Sequence, residues 1–400
     1  MAESSSNHTS PEILTGQDAV LQQEEVLEAL KRLSFKLKGL DDKQSVALSH
    51  YRRQPEAVQQ AYDMLAQGAA LCHASSTKYT LLGKLDAVQQ AKLTVELLQG
   101  CQLAATATVV LHDDSTGCAR STRHYCKQAA RAIVTTVLNL VQEFATGTAA
   151  EQECTVGAQK TGAVWQTCSH VTDKKLPLGN RNCMRRDLYN YMAECNDTME
   201  EFQGMIDEGP TLREEDEDSG DGKDNNDNEN GNDWEAFMSG QNQQYTMQEL
   251  PIATACNLLV KCSRGSINAT LQACEAAGKQ LSEQEESSDA SGSNGDDKAL
   301  LSWISATVEM ARAVGDGMTD LGAVLYPPMQ LQLIQAHATR QAAALQALLS
   351  HIVDAAPAGM DGSLDLPGEV VELSSNLKEA VEKRAKEVDD AVNVLVLKDQ

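Results

Sequence analysis

The side chains of this 400-residue chain best suited to metal binding or nucleophilic chemistry are eleven cysteines, running from Cys72 to Cys274, and eight histidines. His112, Cys118, His124 and Cys126 crowd one stretch and come nearest to a zinc spacing. A structural zinc needs four ligands converging on one tetrahedral point. If the stretch is helical, His124 and Cys126 are two residues apart and point about 200° away from each other, so they cannot share an ion. Cys72 with His73, and Cys168 with His170, fail for similar reasons. Cysteine at helical core spacing behaves as a small buried apolar group. The carboxylate pairs Glu24-Glu25 and Glu200-Glu201 would need shifted pKa values to act as acid and base, and neither comes with a glycine-shaped pocket or a neighbouring base. Solvated helix faces explain them.

Signatures that build a catalytic centre are missing from the sequence: there is no GxxxxGK[ST], no GxGxxG opening a βαβ unit, no HExxH, no GxSxG and no EF-hand spacing. The expectation is a protein that is not an enzyme and has no cofactor, metal or catalytic residues. Two aromatic features stand out instead. Trp165 sits in a helical stretch, and Tyr326-Pro327-Pro328 is either a rigid corner between two helices or part of a recognition surface with an aromatic anchor. Trp165, Tyr326, Pro327 and Pro328 are therefore the candidates for an interaction site or a structural corner.

The elements that must position these residues are helical. Apolar residues recur every three or four positions from Gln17 to Leu40, from Pro55 through Val58, Tyr62, Leu65, Ala69 and Leu71, and from Tyr79 to Val110. Residues 112–118 read as a turn, and a further helix runs from Ser121 through Phe144. A short helix from Thr161 ends in the loop before Asn182, and Arg185 to Ile206 resumes the period. Met247 to Leu281, Leu300 to Ala356 and Val370 to Leu397 complete the series. The middle one breaks near Tyr326, because two adjacent prolines remove two backbone donors; a fresh helix can begin at them.

Composition agrees. Aromatic residues make up only 4% while Ala, Leu, Gln and Glu abound, which suits helices and starves strands of their favoured side chains. The fold class expected is all-α, with antiparallel up-and-down helical bundles and disordered acidic inserts. Residues 1–18 read as a disordered amino terminus, 19–206 as one bundle, 207–246 as an acidic disordered linker, and 247–400 as a second bundle with an acidic loop at 283–298.

Charge is uneven. Between Asp207 and Glu235 thirteen acidic residues face only Arg213 and Lys223, and Glu283 to Asp297 holds six acidic residues and no basic one. These stretches carry −17 of the formal −25, so the rest of the chain is only mildly acidic. With a pI near 4.6 and no basic tract, direct nucleic-acid binding lacks its main energetic term. No basic region precedes an apolar run at the amino terminus, and no eighteen-residue apolar stretch lacks a charge or strongly polar break. Neither membrane insertion nor secretion is expected, and the thiols read as reduced.

Two segments carry a family resemblance. Val324-Leu325-Tyr326-Pro327-Pro328-Met329, following an acidic insert and a helical lead-in, resembles the YPPM segment of the cyclin-D-binding (GCIP, adaptor- and cyclin-D-interacting) protein family. Ala163-Val164-Trp165-Gln166-Thr167-Cys168, continuing to Lys175-Leu176-Pro177, is similar to that family's SVW-x-x-C segment. The resemblance spans roughly residues 75–395 and rests more on the order of elements than on single residues. It implies bundled helices without catalysis, a nuclear and cytoplasmic location, and binding of D-type cyclins, signalling adaptors or helix-loop-helix factors to restrain cell-cycle progression. It defines no binding motif residue by residue. A cytoskeletal or adhesion-like scaffold is the alternative for such Ala-rich bundles, and homodimerisation stays open.

Overall fold

The computed structural model describes residues 16–41, 47–81, 87–145, 155–210, 244–287, 295–357 and 366–398. Among them there are ten α-helices and no strand: α1 Gly16–Gly39, α2 Glu56–Leu81, α3 Ala87–His112, α4 Arg120–Ala145, α5 Thr155–Thr172, α6 Asn180–Asp207, α7 Leu250–Ser287, α8 Gly295–Ala323, α9 Leu331–Asp354 and α10 Gly368–Lys398. The all-α class expected from the sequence is the class observed. The chain divides into two compact units, Met1–Met184 and Arg185–Gln400.

In the first unit, α2 lies against α3 and α5, while α3 and α4 pack on each other and on α1, and α4 also meets α5. Neighbours run antiparallel: Cys72 faces Cys101 at an Sγ–Sγ distance of 3.9 Å, while Lys78, further along α2, reaches back to Glu96 at 2.8 Å. The core joins Leu30 and Leu37 of α1, Val58 and Leu65 of α2, Leu97 and Leu111 of α3, Ile133 and Leu140 of α4, and Val164 and Cys168 of α5. Small residues set the spacing. A Cβ on Gly68 would lie 2.5 Å from the carbonyl oxygen of Gly100, so α2 and α3 approach nearly backbone to backbone. Residues Val88–His112 are long and apolar enough to cross a membrane by length and composition, yet half of their most apolar window is buried within the bundle. A core helix passes the same test.

One buried amide closes this unit. Asn180, with no exposed surface, accepts from the Ala119 N–H at 2.7 Å and the Thr122 hydroxyl at 2.9 Å, and donates to the carbonyls of His50 at 2.8 Å and Gly117 at 3.0 Å. Both lone pairs and both protons are used, which is what makes a buried Asn tolerable. Gly117 stands at φ +59°, and a Cβ there would collide with Ser49, so the turn before α4 requires glycine.

In the second unit, α7 packs on α8, α9 and α10, and α9 packs on α8 and α10. Residues 185–207 of α6 join it: Arg185 pairs with Glu275 at 3.5 Å, Arg312 with Asp187 at 3.0 Å, and the Asn257 amide donates to the Met199 carbonyl at 3.4 Å. The first bundle was expected to run to residue 206. The division instead falls inside α6, because the Asp187 carboxylate and the Met199 carbonyl take their partners from α8 and α7. Just ahead of α7 stands a capping box, in which Thr246 N–H donates to Glu249 Oε2 at 3.0 Å and Glu249 N–H donates to Thr246 Oγ1 at 3.2 Å.

Several expected boundaries move. The helix read from Tyr79 begins at Ala87, because α2, read through Leu71, continues to Leu81 across the polar run Ser75-Ser76-Thr77. Its hydroxyls are satisfied internally, Ser76 and Thr77 donating to the His73 carbonyl at 3.0 and 2.7 Å and Ser75 to Glu96 at 2.8 Å. The helix after the proline corner begins at Leu331, with Gln330 as a cap that makes no side-chain bond. Residues 1–15 and 211–243, most of the expected disordered terminus and linker, lie outside the described residues, as do 288–294 of the expected loop at 283–298. The flanks of that loop, 283–287 and 295–298, are helical.

Candidate interaction site

The Tyr-Pro-Pro segment is a corner with contacts on two sides. α8 ends at Ala323 and α9 starts at Leu331, and the Pro327–Pro328 peptide bond between them is cis. The Tyr326 hydroxyl donates to Glu201 at 2.7 Å, and its ring lies against Phe202 with centroids 5.2 Å apart. That hydrogen bond to a carboxylate, more than burial, pushes the phenol above its ordinary value. Met329 N–H donates to Glu249 Oε1 at 2.7 Å. One carboxylate thus caps α7 with one oxygen and holds the corner with the other. Tyr326 stays 37% exposed, so a ring edge remains available while the hydroxyl is anchored.

α6 and α8 run parallel from this corner. Asp187 meets Arg312, Tyr191 covers Gly315, Thr198 lies over Gly322, and Phe202 touches Tyr326, a nearly constant offset along both helices. Beside this seam opens a concavity of about 890 Å³. Its floor is Gly322, Ala323, the Thr198 methyl and the Phe202 and Tyr191 rings; its walls carry Glu194, Asp197 and Glu201 from α6 and Asp316 and Asp320 from α8. Among the described residues no Lys, Arg or His lines it. The Glu194 carboxyl is held above its ordinary value by burial and by the like charges of Asp316 and Asp197. Asp320 reaches Arg340 at 4.0 Å, with both side chains largely exposed.

Trp165, the other aromatic candidate, lies in the first unit. It is half-buried on α5, where its indole N–H donates to Thr77 Oγ1 at 3.0 Å and its ring stacks on His73 with centroids 5.8 Å apart. A comparable pair occurs in the second unit, where Trp303 stacks on His351 at 5.9 Å. Trp165 therefore secures α5 to α2, and the described contacts bring it no second functional group.

The suspected metal spacing does not converge. His124 bonds Gln128 at 2.7 Å, while Cys126 is buried in the core. Among the described residues no group of three or more His, Cys, Asp or Glu side chains could hold a metal ion. The ten described cysteines are buried. Burial pushes the thiols of Cys168, Cys195, Cys256 and Cys274 up to about 12, which keeps them protonated and poorly nucleophilic. Glu24, Glu25, Glu200 and Glu201 are exposed, as solvated helix faces are, and Glu201 also accepts the hydrogen bond of the Tyr326 hydroxyl. A smaller concavity of about 440 Å³ in the first unit is lined by Arg123, whose buried guanidinium pairs with Asp114 at 3.0 Å.

Fold and site together define an all-helical bundle protein with a groove between two of its helices. Residues 64–208, from the middle of α2 to the end of α6, match the family model described as Grap2 and cyclin-D-interacting, N-terminal. The match supports that family at the level of this region. It includes Ala163 to Cys168, and it does not reach the Tyr326 corner. No curated protein matches the chain.

Proposed function

We propose that this protein acts by binding other proteins, without catalysis of its own, and restrains cell-cycle progression by engaging a D-type cyclin, a signalling adaptor or a helix-loop-helix factor in the nucleus and cytoplasm. The observation that carries the reading is the match of residues 64–208 to the cyclin-D-interacting family model. Support comes from the helical bundles, which present extended faces and grooves of the kind that take up a partner's helix, and from the burial of the thiols in apolar cores.

The test is affinity purification of the tagged full-length protein from its own cells, quantified by mass spectrometry. Enrichment of a D-type cyclin, with direct binding of the purified pair, is the expected result. A signalling adaptor or a helix-loop-helix factor in the cyclin's place keeps the reading and names the partner. Recovery of actin or adhesion proteins in place of all three overturns it in favour of a cytoskeletal scaffold, and recovery of nothing above background removes it.

A further inference from the structure

We propose that the groove between α6 and α8 in the second unit is a docking site for a basic amphipathic helix of a partner protein. This rests on the reading of the protein as an interaction module and adds to it a surface, a partner chemistry and a register.

The shape argues for a helix. Two parallel helices in constant register leave a straight valley, and a third helix lies along such a valley by the ridge-and-groove packing that relates helices elsewhere in bundles. From Tyr191 to Phe202 the valley runs about 16 Å at 1.5 Å per residue, or some three turns of a partner. Gly322 is buried where the two helices meet, a Cβ there lying 3.4 Å from the Thr198 methyl and 3.8 Å from the Phe202 ring, and the exposed Ala323 beside it lines the valley. The exposed edge of Tyr326, backed by the buried Phe202 ring, closes one end with an apolar surface.

The charge argues for a basic one. Glu194, Asp197 and Glu201 follow one another at three- and four-residue spacing on α6, facing Asp316 and Asp320 on α8. At Glu194 burial and the like charges of Asp316 and Asp197 dominate, while Arg312, already paired with Asp187 and Glu309, also attracts Asp316. Like charges held together on a half-apolar floor repel, and a partner's cations relieve that repulsion on docking. The same field rejects the other occupants within reach. The stretch that follows α6, thirteen acidic residues from Asp207 to Glu235, shares its sign, and a second copy of a chain carrying −25 is repelled at long range. The complementary pattern is arginine or lysine at i, i+3 and i+7 with an apolar residue at i+11, a single stripe on an α-helix.

The test uses the full chain and a fluorescent, hydrocarbon-stapled 16-residue peptide with that stripe on an Ala/Gln host. Its control is a stapled peptide of identical composition with the arginines spread around the helix. By anisotropy at about 150 mM salt, the striped peptide is expected to bind about tenfold more tightly than the control. Replacing Glu194→Gln, Asp197→Asn and Asp316→Asn together lowers its affinity about tenfold, and Ala323→Gln, which adds bulk at an exposed lining position without altering charge, lowers it by a similar factor, with helicity by circular dichroism unchanged. Equal binding of both peptides, or affinity indifferent to both variants, overturns the proposal whatever the folding of either one. A dimer seen by sedimentation and lost in the triple variant overturns it too, by giving the groove to a second copy. Capture of cyclin, adaptor or helix-loop-helix factor, run in parallel, separates the two readings. Partner capture by a chain whose peptide binding ignores the groove leaves the function and removes the site, whereas groove-dependent peptide binding with no such partner does the reverse.

Discussion

Single residues here matter through what surrounds them, and His50 is the clearest case. It is 6% exposed. The Ser49 hydroxyl beside it donates to the Thr116 carbonyl at 2.9 Å, so His50 Nδ1 supplies the proton of the 3.0 Å Ser49–His50 bond, and Nε2 is left buried without a hydrogen-bond partner among the described residues. Protonating Nε2 places an uncompensated charge in the core, and burial lowers the value from 6.5 to about 4. The unfolded chain therefore takes up the proton first as pH falls. Stability present above pH 6.5 is lost between about 6.5 and 4, by about 3 kcal/mol for this group. Urea unfolding followed across that range should show the slope, and His50→Asn should flatten it. Asn180 makes the opposite point, since its environment is fully matched. Asn180→Ala would strand the His50 carbonyl and the Ala119 N–H in the core and leave the Gly117 carbonyl only the Ser49 N–H at 3.4 Å, and chemical denaturation should register a loss of about 3 kcal/mol. Neither residue drew notice in the sequence, because a lone histidine or asparagine in a loop has no pattern until the chain returns to it from more than sixty residues away.

Helices are the scale at which the sequence was most readable. The 3.6-residue period located all ten, and Pro327-Pro328 marked the break between α8 and α9. Misplaced ends came where polar residues inside a helix found partners there, as Ser75, Ser76 and Thr77 do. The assignment of α6 to a unit was not readable at all, since periodicity says which face is apolar but not whose core receives it. The groove was hidden for the same reason: Glu194 and Asp316 lie 122 positions apart in sequence, and only the shared register of α6 and α8 brings them together. Close packing gives this scale its own prediction. In Gly68→Ala the new methyl meets the Gly100 carbonyl and the Ala104 nitrogen, both backbone atoms that cannot rotate away. α2 and α3 must separate, and thermal unfolding should reveal a destabilisation of about 2 kcal/mol.

For the whole molecule, the ends of the long acidic stretch are fixed independently of its content. α6 and α7 are antiparallel, with Arg185 beside Glu275 and Met199 beside Asn257, so Asp207 and Leu250 lie at the same end of the second unit. The return is secured by buried Tyr245 and the Thr246–Glu249 capping box. Closure entropy varies slowly with loop length. Replacing residues 211–243 with about ten Gly and Ser residues should therefore change stability by no more than about 1 kcal/mol, measured by calorimetry, while removing eleven acidic side chains. The Asn180 bonds have a consequence of another kind, in the order of synthesis. A nascent chain that has just completed α5 at Thr172 already contains every helix of the first bundle, yet the carbonyls of His50 and Gly117 and the N–H of Ala119 still lack the amide that joins them. The first turn of α6 must be made and clear the ribosome before that bundle can lock, so a chain cut short anywhere from Asp173 to Gly179 leaves the bundle open to chaperones.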